Sequence, residues 1–312
     1  MSDEKPRKSM KLFEDSLNDY LEILEGKLTG QRHYVPSKFN TLDDTLGGWL
    51  HEGHLVIVAG RPAMGKSAFA QQLVESVAKQ NRTALMFTLE MNHYEIVERF
   101  MSRMTGIPIQ KLKTGIGLTE HEKDLIVDAT RQHRKLPMIT DDGNYSIEKL
   151  CEMAISANNS LEKRGLPRLG VIVVDYLQLV GGTGSNRTIE VGQVTAGLKR
   201  LSKDLNVPVV ALSQLNRSVE SKTDKRPGLS DLRESGSIEQ DADMVLFLYR
   251  DEYYNPNSTE KGVAEVICGK NRHGPTANVK LAFVGERVMF GDLAPDYIPM
   301  TTDPVKGARN NG

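Results

Sequence analysis

Residues 60–67 read Gly-Arg-Pro-Ala-Met-Gly-Lys-Ser, which fits the pattern GxxxxGKS/T without a mismatch. The residue types suit one task, cradling a polyphosphate. Gly60 and Gly65 let backbone N–H groups curl around an anion, and Arg61, Pro62, Ala63 and Met64 complete the curl. Lys66 reaches the β- and γ-phosphates, and the Ser67 hydroxyl ligates magnesium. Asp175 closes the apolar run VIVVD, where an acid holds the same metal. Glu90 ends TALMFTLE and can orient an attacking water, although an acid at the mouth of a helix is also favoured by the helix dipole. Gln214 ends PVVALSQ; its amide can touch a γ-phosphate, or simply mark a polar strand exit.

These residues need elements to hold them. LVIVA at 55–59, TALMFTL at 83–89, VIVVDYLQLV at 171–180, PVVALSQ at 208–214 and DMVLFLY at 243–249 are short apolar runs, as expected of strands covered on both faces. Between them lie helical stripes: Ala70, Leu73, Val74 and Val77; a helix opened by Asn92 and Glu95 and running to about Met104; 189–205. The stretch 106–168 reads as polar and helical, with stripes near Leu125–Ala129 and Ile147–Ile155. AEVICG, NVKLAF and RVMF are separated by turn residues and predict an antiparallel edge. The expectation is an α/β fold with a mainly parallel central sheet and helices on both faces. Ahead of it, Leu17, Tyr20, Leu21, Leu24 and Leu28 form one stripe on a helix over 12–28, which packs on its own domain or docks on a neighbour.

Composition excludes several classes. The 312 residues carry 40 Lys and Arg against 41 Asp and Glu, a net charge of −1, so any nucleic-acid binding must come from local placement of cations. No apolar run approaches the roughly 20 residues of a membrane helix. The first ten residues lack the apolar centre of a signal peptide. Cys151 and Cys268 make no CxxC, and the seven histidines make no HExxH, so a disulfide framework or Cys-rich zinc site is not expected and a reducing, cytoplasmic setting is.

Five stretches carry a resemblance to a known family: RPAMGKSAFA at 61–70, FTLEM at 87–91, VVDYLQL at 173–179, LSQLNRSVE at 212–220 with SDLRESGSIEQDADMVLFLYRDE at 230–252, and GKNRHGPT at 269–276. In order and spacing the chain resembles the C-terminal motor domain of DnaB-type replicative helicases, which share the RecA-like P-loop fold. The resemblance implies a homo-oligomeric ring, commonly a hexamer, that hydrolyses ATP or another nucleoside triphosphate with Mg2+. It implies translocation 5′ to 3′ on single-stranded DNA, opening of forked duplex DNA, and a helicase loader and primase as partners. It leaves Lys66, Ser67, Glu90 and Asp175 in the roles above and makes Gln214 a γ-phosphate sensor. Lys270 and Arg272 match the pair that reaches the neighbour's nucleotide site, Arg272 as arginine finger; the residues alone read as a solvated basic turn. Arg233, Glu234 and Gly236 match the DNA-contacting loop. Arg187, ending the Gly-rich stretch 181–187, is a second DNA candidate or a plain surface connection.

The implied organisation is a linker with a docking helix over 1–30, a motor over 31–298 and a loose tail over 299–312. Full-length members carry a helical collar domain ahead of the motor. About thirty residues stand there in this sequence, which predicts either a truncated chain or a compact phage or plasmid version. Two other readings use the same phosphate site: a RecA-class filament protein, and an ATP-gated loader that drives no motion. The LRESGSIEQDAD and KNRHG segments favour the helicase over the first, and Glu90 with Arg272 favours it over the second.

Overall fold

The apolar runs become the middle of one nine-stranded sheet in a computed structural model that describes residues 12–30, 32–181, 187–232 and 235–294. Six strands are parallel: β1 (Leu55–Gly60), β2 (Thr83–Thr88), β3 (Met138–Asp141), β4 (Leu169–Asp175), β5 (Val209–Gln214) and β6 (Met244–Tyr249). Three continue it antiparallel: β7 (Val263–Asn271), β8 (Asn278–Val284) and β9 (Met289–Asp292). The order across the sheet is β3-β2-β4-β5-β1-β6-β7-β8-β9. Every residue of β1, β2, β4 and β6 is buried, whereas β8 alternates buried with partly or fully exposed positions. That contrast is the signature of a sheet covered on both faces in the middle and wet on one face at its edge.

The helices are α1 (Phe13–Leu28), α2 (Asn40–Leu46), α3 (Lys66–Ala78), α4 (His93–Thr105), α5 (Ile109–Thr114), α6 (Glu120–His133), α7 (Ile147–Lys163), α8 (Arg187–Leu205), α9 (Ser235–Asp241) and α10 (Asp251–Tyr254). Successive strand residues point to opposite faces, so β1 feeds two cores. Val56 and Val58 join α2 and α3 with Trp49, Phe39 and Phe69, the two phenyl rings stacked at 4.4 Å. Leu55, Ile57 and Ala59 join α7 and α8 on the other side. Inside the first core, Arg103 of α4 grips Glu75 of α3 through Nε and Nη2, both residues buried. Removing one partner of such a pair strands a buried charge and costs about 3–5 kcal/mol.

Two readings of the sequence need correction. The run at 171–180 is not one strand: β4 stops at Asp175, and Leu177–Leu179 form a single 3-10 turn. Leu177 and Val180 are apolar because they plug the second core, not because they extend the sheet. The stretch 106–168 is not wholly helical either. It contains β3, a four-residue strand only partly buried at every position, too short and too half-covered to leave a pattern. α1 forms as expected and buries none of its residues; Leu17, Tyr20, Leu21 and Leu28 are exposed.

Candidate functional site

Gly60 ends β1 in register with Gln214 at the end of β5. The chain then turns through residues 61–65 and starts α3 at Lys66. Ala63 and Gly65 hold positive φ angles of 65° and 94°. A Cβ on Gly65 would come within 2.8 Å of Phe290 Cζ, so the turn needs glycine for space as well as for its backbone angle. Lys66 Nζ donates to Gly60 O at 2.9 Å and Arg61 O at 3.3 Å, which folds the ammonium over the turn. Burial lowers its pKa to about 8, against the opposing pull of Asp175 and Glu90. Met64 is buried with Phe69 in the core, while Pro62 and Ala63 are exposed. The Arg61 side chain is engaged elsewhere, donating to Glu220 Oε1 and to Leu215 O.

The sheet order brings the acids to the same rim. β4 lies between β2 and β5, and Asp175 stands in register with Thr88. Asp175 is 1% exposed, and its Oδ2 has no hydrogen-bond partner. Burial raises its pKa; the Ser67 hydroxyl is the first group that pulls it back. Glu90, two residues past β2, is exposed and within the electrostatic reach of both Asp175 and Lys66. A buried carboxylate with a spare oxygen, a hydroxyl, an ammonium and a helix N-terminus form a donor set suited to a cation-bound polyphosphate. Among the described residues no group of three or more His, Cys, Asp or Glu side chains can hold a metal by itself, so a cation at Ser67 and Asp175 would take its other ligands from phosphate and water.

Two residues were not legible in the sequence. Arg99 of α4 is mostly removed from solvent and is drawn toward Asp175, Glu95 and Glu90. Gln178 clamps the end of β5: its Nε2 donates to Ser213 Oγ at 3.0 Å and Gln214 O at 3.2 Å, and its Oε1 accepts from Gln214 N at 3.2 Å. Spacing relative to Glu90 or Gln214 reveals neither; each depends on how a neighbouring segment folds back over the strand ends.

Lys270 and Arg272 lie elsewhere. β7 runs antiparallel to β6, with Asn271 opposite Met244, so this turn sits at the start of β6 and not at its end. Lys270 Nζ donates to Ala242 O at 2.7 Å and to Glu239 O, and Arg272 Nη2 donates to Gln240 O at 2.7 Å. Arg272 N donates to Asp243 O, and Asp243 N to Leu55 O. The pair therefore stands beside the first residue of β1, while the phosphate turn follows its last. At roughly 3.3 Å per residue the strand separates them by about 20 Å.

Of the DNA-binding candidates, Gly236 is exposed in the first turn of α9, where helical N–H groups have no intrahelical partner. Arg233 and Glu234 lie outside the described residues, as do 182–186 and the tail over 299–312. Arg187 begins α8, and its side chain is likewise outside them.

A strand–GxxxxGKS–helix unit in the middle of a parallel sheet, with acids at the adjoining strand ends, defines the RecA-like class of P-loop nucleotide-binding ATPase folds. The chain belongs to the family described as DnaB-like helicase C terminal domain, whose model matches residues 34–292. It is 42% identical over 301 residues to the replicative DNA helicase DnaB of Pasteurella multocida (strain Pm70), covering 94% of this chain and 62% of that protein. With the replicative DNA helicase DnaB of Geobacillus stearothermophilus it shares 42% identity over 282 residues, 88% of this chain and 60% of the relative. The chain thus spans about three fifths of the length of these relatives. Among solved structures, one described as an ATPase domain superposes with a TM-score of 0.80 at 33% identity, covering 89% of this chain and 99% of that one. A DnaB-like replicative helicase, described with its interactions with primase, gives 0.80 at 34% identity over 92% and 68%. Among the described residues no helix is long and apolar enough to cross a membrane.

Proposed function

We propose that this chain is the motor of a ring-forming replicative DNA helicase that hydrolyses ATP, translocates 5′ to 3′ on single-stranded DNA and opens forked duplexes. The observation that carries the reading is the separation between Lys270 and Arg272 and their own phosphate turn. Two cations placed at the far end of β1 cannot serve the site at its near end, yet they suit the site of a second copy packed against that face. Each nucleotide site is then a seam between two subunits, and hydrolysis depends on the neighbour.

The division of labour follows from the surroundings of each residue. The turn at 60–65 and the N-terminus of α3 bind the phosphates, and Lys66 releases its two carbonyls to bind them too. Ser67 and Asp175 would hold Mg2+, which would supply positive charge to the bound phosphates. Glu90 takes the proton from the attacking water, and its exposure leaves room for that water. Gln214, in register with Gly60, reports the γ-phosphate to the segment after β5. Arg272 of one subunit neutralises charge on the phosphoryl group in the next, a contribution of about 10³–10⁵ in rate where an arginine finger operates. Arg233, Gly236 and Arg187 are assigned to the DNA backbone, held without base specificity, with Glu234 part of the same loop.

The exposed stripe of α1 serves the ring as well. An apolar face left uncovered on its own subunit is buried on a neighbour, which makes 1–30 a docking linker ahead of a motor that begins near residue 31. Primase, with which the superposed DnaB-like helicase is described, and a loader belong to the same reading as partners.

Unwinding of forked DNA with a single 5′ or a single 3′ tail, with ATP and Mg2+, tests it. Strand separation that requires the 5′ tail is expected. Equal opening of both substrates, or none under conditions where ATP is consumed, would overturn the reading.

A further inference from the structure

Residues 215–232 leave β5 one residue past Gln214 and end immediately before 233–234. The two ends are zipped together: Leu215 and Leu232 form an isolated antiparallel bridge, and Asn216 N donates to Asp231 O at 3.0 Å. Within the segment Lys222 Nζ lies 2.5 Å from Asp231 Oδ1, and Val219 is buried in the second core. Such cross-ties make the segment a closed unit rather than a loose connection.

One side chain fastens that unit to the phosphate turn. Arg61 Nε and Nη2 each stand 2.9 Å from Glu220 Oε1, and Nη1 donates to Leu215 O at 3.0 Å. Arg61 is 8% exposed, so its charge needs these partners. Gln214 reaches the unit only at its first residue. The grip on Glu220 falls five residues further along, and two points of attachment fix the orientation of a segment where one fixes only its position.

We propose that Glu220 is a positioning residue for energy coupling: its ion pair with Arg61 makes the phosphate turn and segment 215–232 shift together, so that the nucleotide state is felt at 233–236. This rests on the functional reading above, in which 233–236 faces DNA. Glu220 itself touches neither the phosphate turn's backbone nor the acids. Its side chain is 43% exposed, but Arg61 is buried, so removing the Glu220 charge costs some stability while Leu215 O still accepts from the guanidinium.

The test compares the full chain with Glu220→Gln and, as the variant that keeps the charge, Glu220→Asp. ATP turnover is measured with and without oligo-dT, alongside the thermal midpoint. The expected result is a fall of about fivefold or more in the stimulation by DNA in Glu220→Gln, the lower end of ordinary coupling between sites, and a smaller fall in Glu220→Asp, with turnover in the absence of DNA kept and the midpoint lowered only where Arg61 loses its counter-charge. Unchanged stimulation in both variants overturns the proposal. So does a proportional fall of both turnover values, which would make Glu220 a support of the site itself. If the unaltered protein shows no stimulation by DNA, the functional reading fails instead, before any variant is compared.

Discussion

Glu90 and Asp175 are carboxylates within reach of the same lysine, yet their surroundings suit them to different work. Asp175 is sealed in, with a raised pKa and a spare oxygen, so it is poised to accept a cation. Glu90 is exposed, where water reaches it. Glu90→Gln is therefore expected to keep ATP affinity while turnover falls about 10²-fold or more, and Lys66→Ala to lose both. A nucleotide-binding titration beside a steady-state ATPase assay separates the two. At this scale the contiguous residues were the legible ones. Lys66 and Ser67 announce themselves by a fixed spacing from Gly60, and Asp175 and Glu90 by ending apolar runs. Arg99 and Gln178 carry no such mark. Arg61 was legible as part of the turn, but its salt bridge spans 159 positions of sequence and no local pattern encodes that.

Elements set the electrostatics of the opposite rim. His54 precedes β1 and stacks on His273 at 4.6 Å, beside Asp243. Burial lowers its pKa to about 4; Asp243 opposes the shift, while His51, His273 and Lys199 add to it. The folded state thus refuses a proton that the unfolded chain accepts below its ordinary value near 6.5. Stability is full above about pH 6.5 and is lost as pH falls toward 4. Urea midpoints at pH 7, 6 and 5 should decline in the unaltered protein and decline less in His54→Gln; equal slopes would remove His54 as the cause. The parallel strands and their helices were readable because burial on both faces writes continuous apolar runs. β3 was not, being a half-covered edge, and Leu177 misled because an apolar plug after a strand looks like more strand.

In the proposed reading a single copy is incomplete, since the cations at one end of the sheet serve the phosphate turn of another copy. Mixing Arg272→Ala with Glu90→Gln subunits is expected to give more ATP turnover than either variant alone, because some seams then pair an intact finger with an intact Glu90. No gain in the mixture, at concentrations where both variants assemble, would overturn the assignment of Arg272 to a neighbour's site. The proposed ring entered the sequence reading only through resemblance. A solvated basic turn and a docking finger have the same composition, and the far-end placement of Lys270 and Arg272 emerges only once β7 is seen to run backwards.

The position of β1 in the sheet has a consequence for biosynthesis. β1 is finished at residue 60, but its two partners are β5 at 209–214 and β6 at 244–249. A ribosome that has passed β4 but not yet reached β5 has spelled out the phosphate turn without giving it a flanking strand. The turn therefore gains its two flanking strands only after β5 and then β6 have emerged.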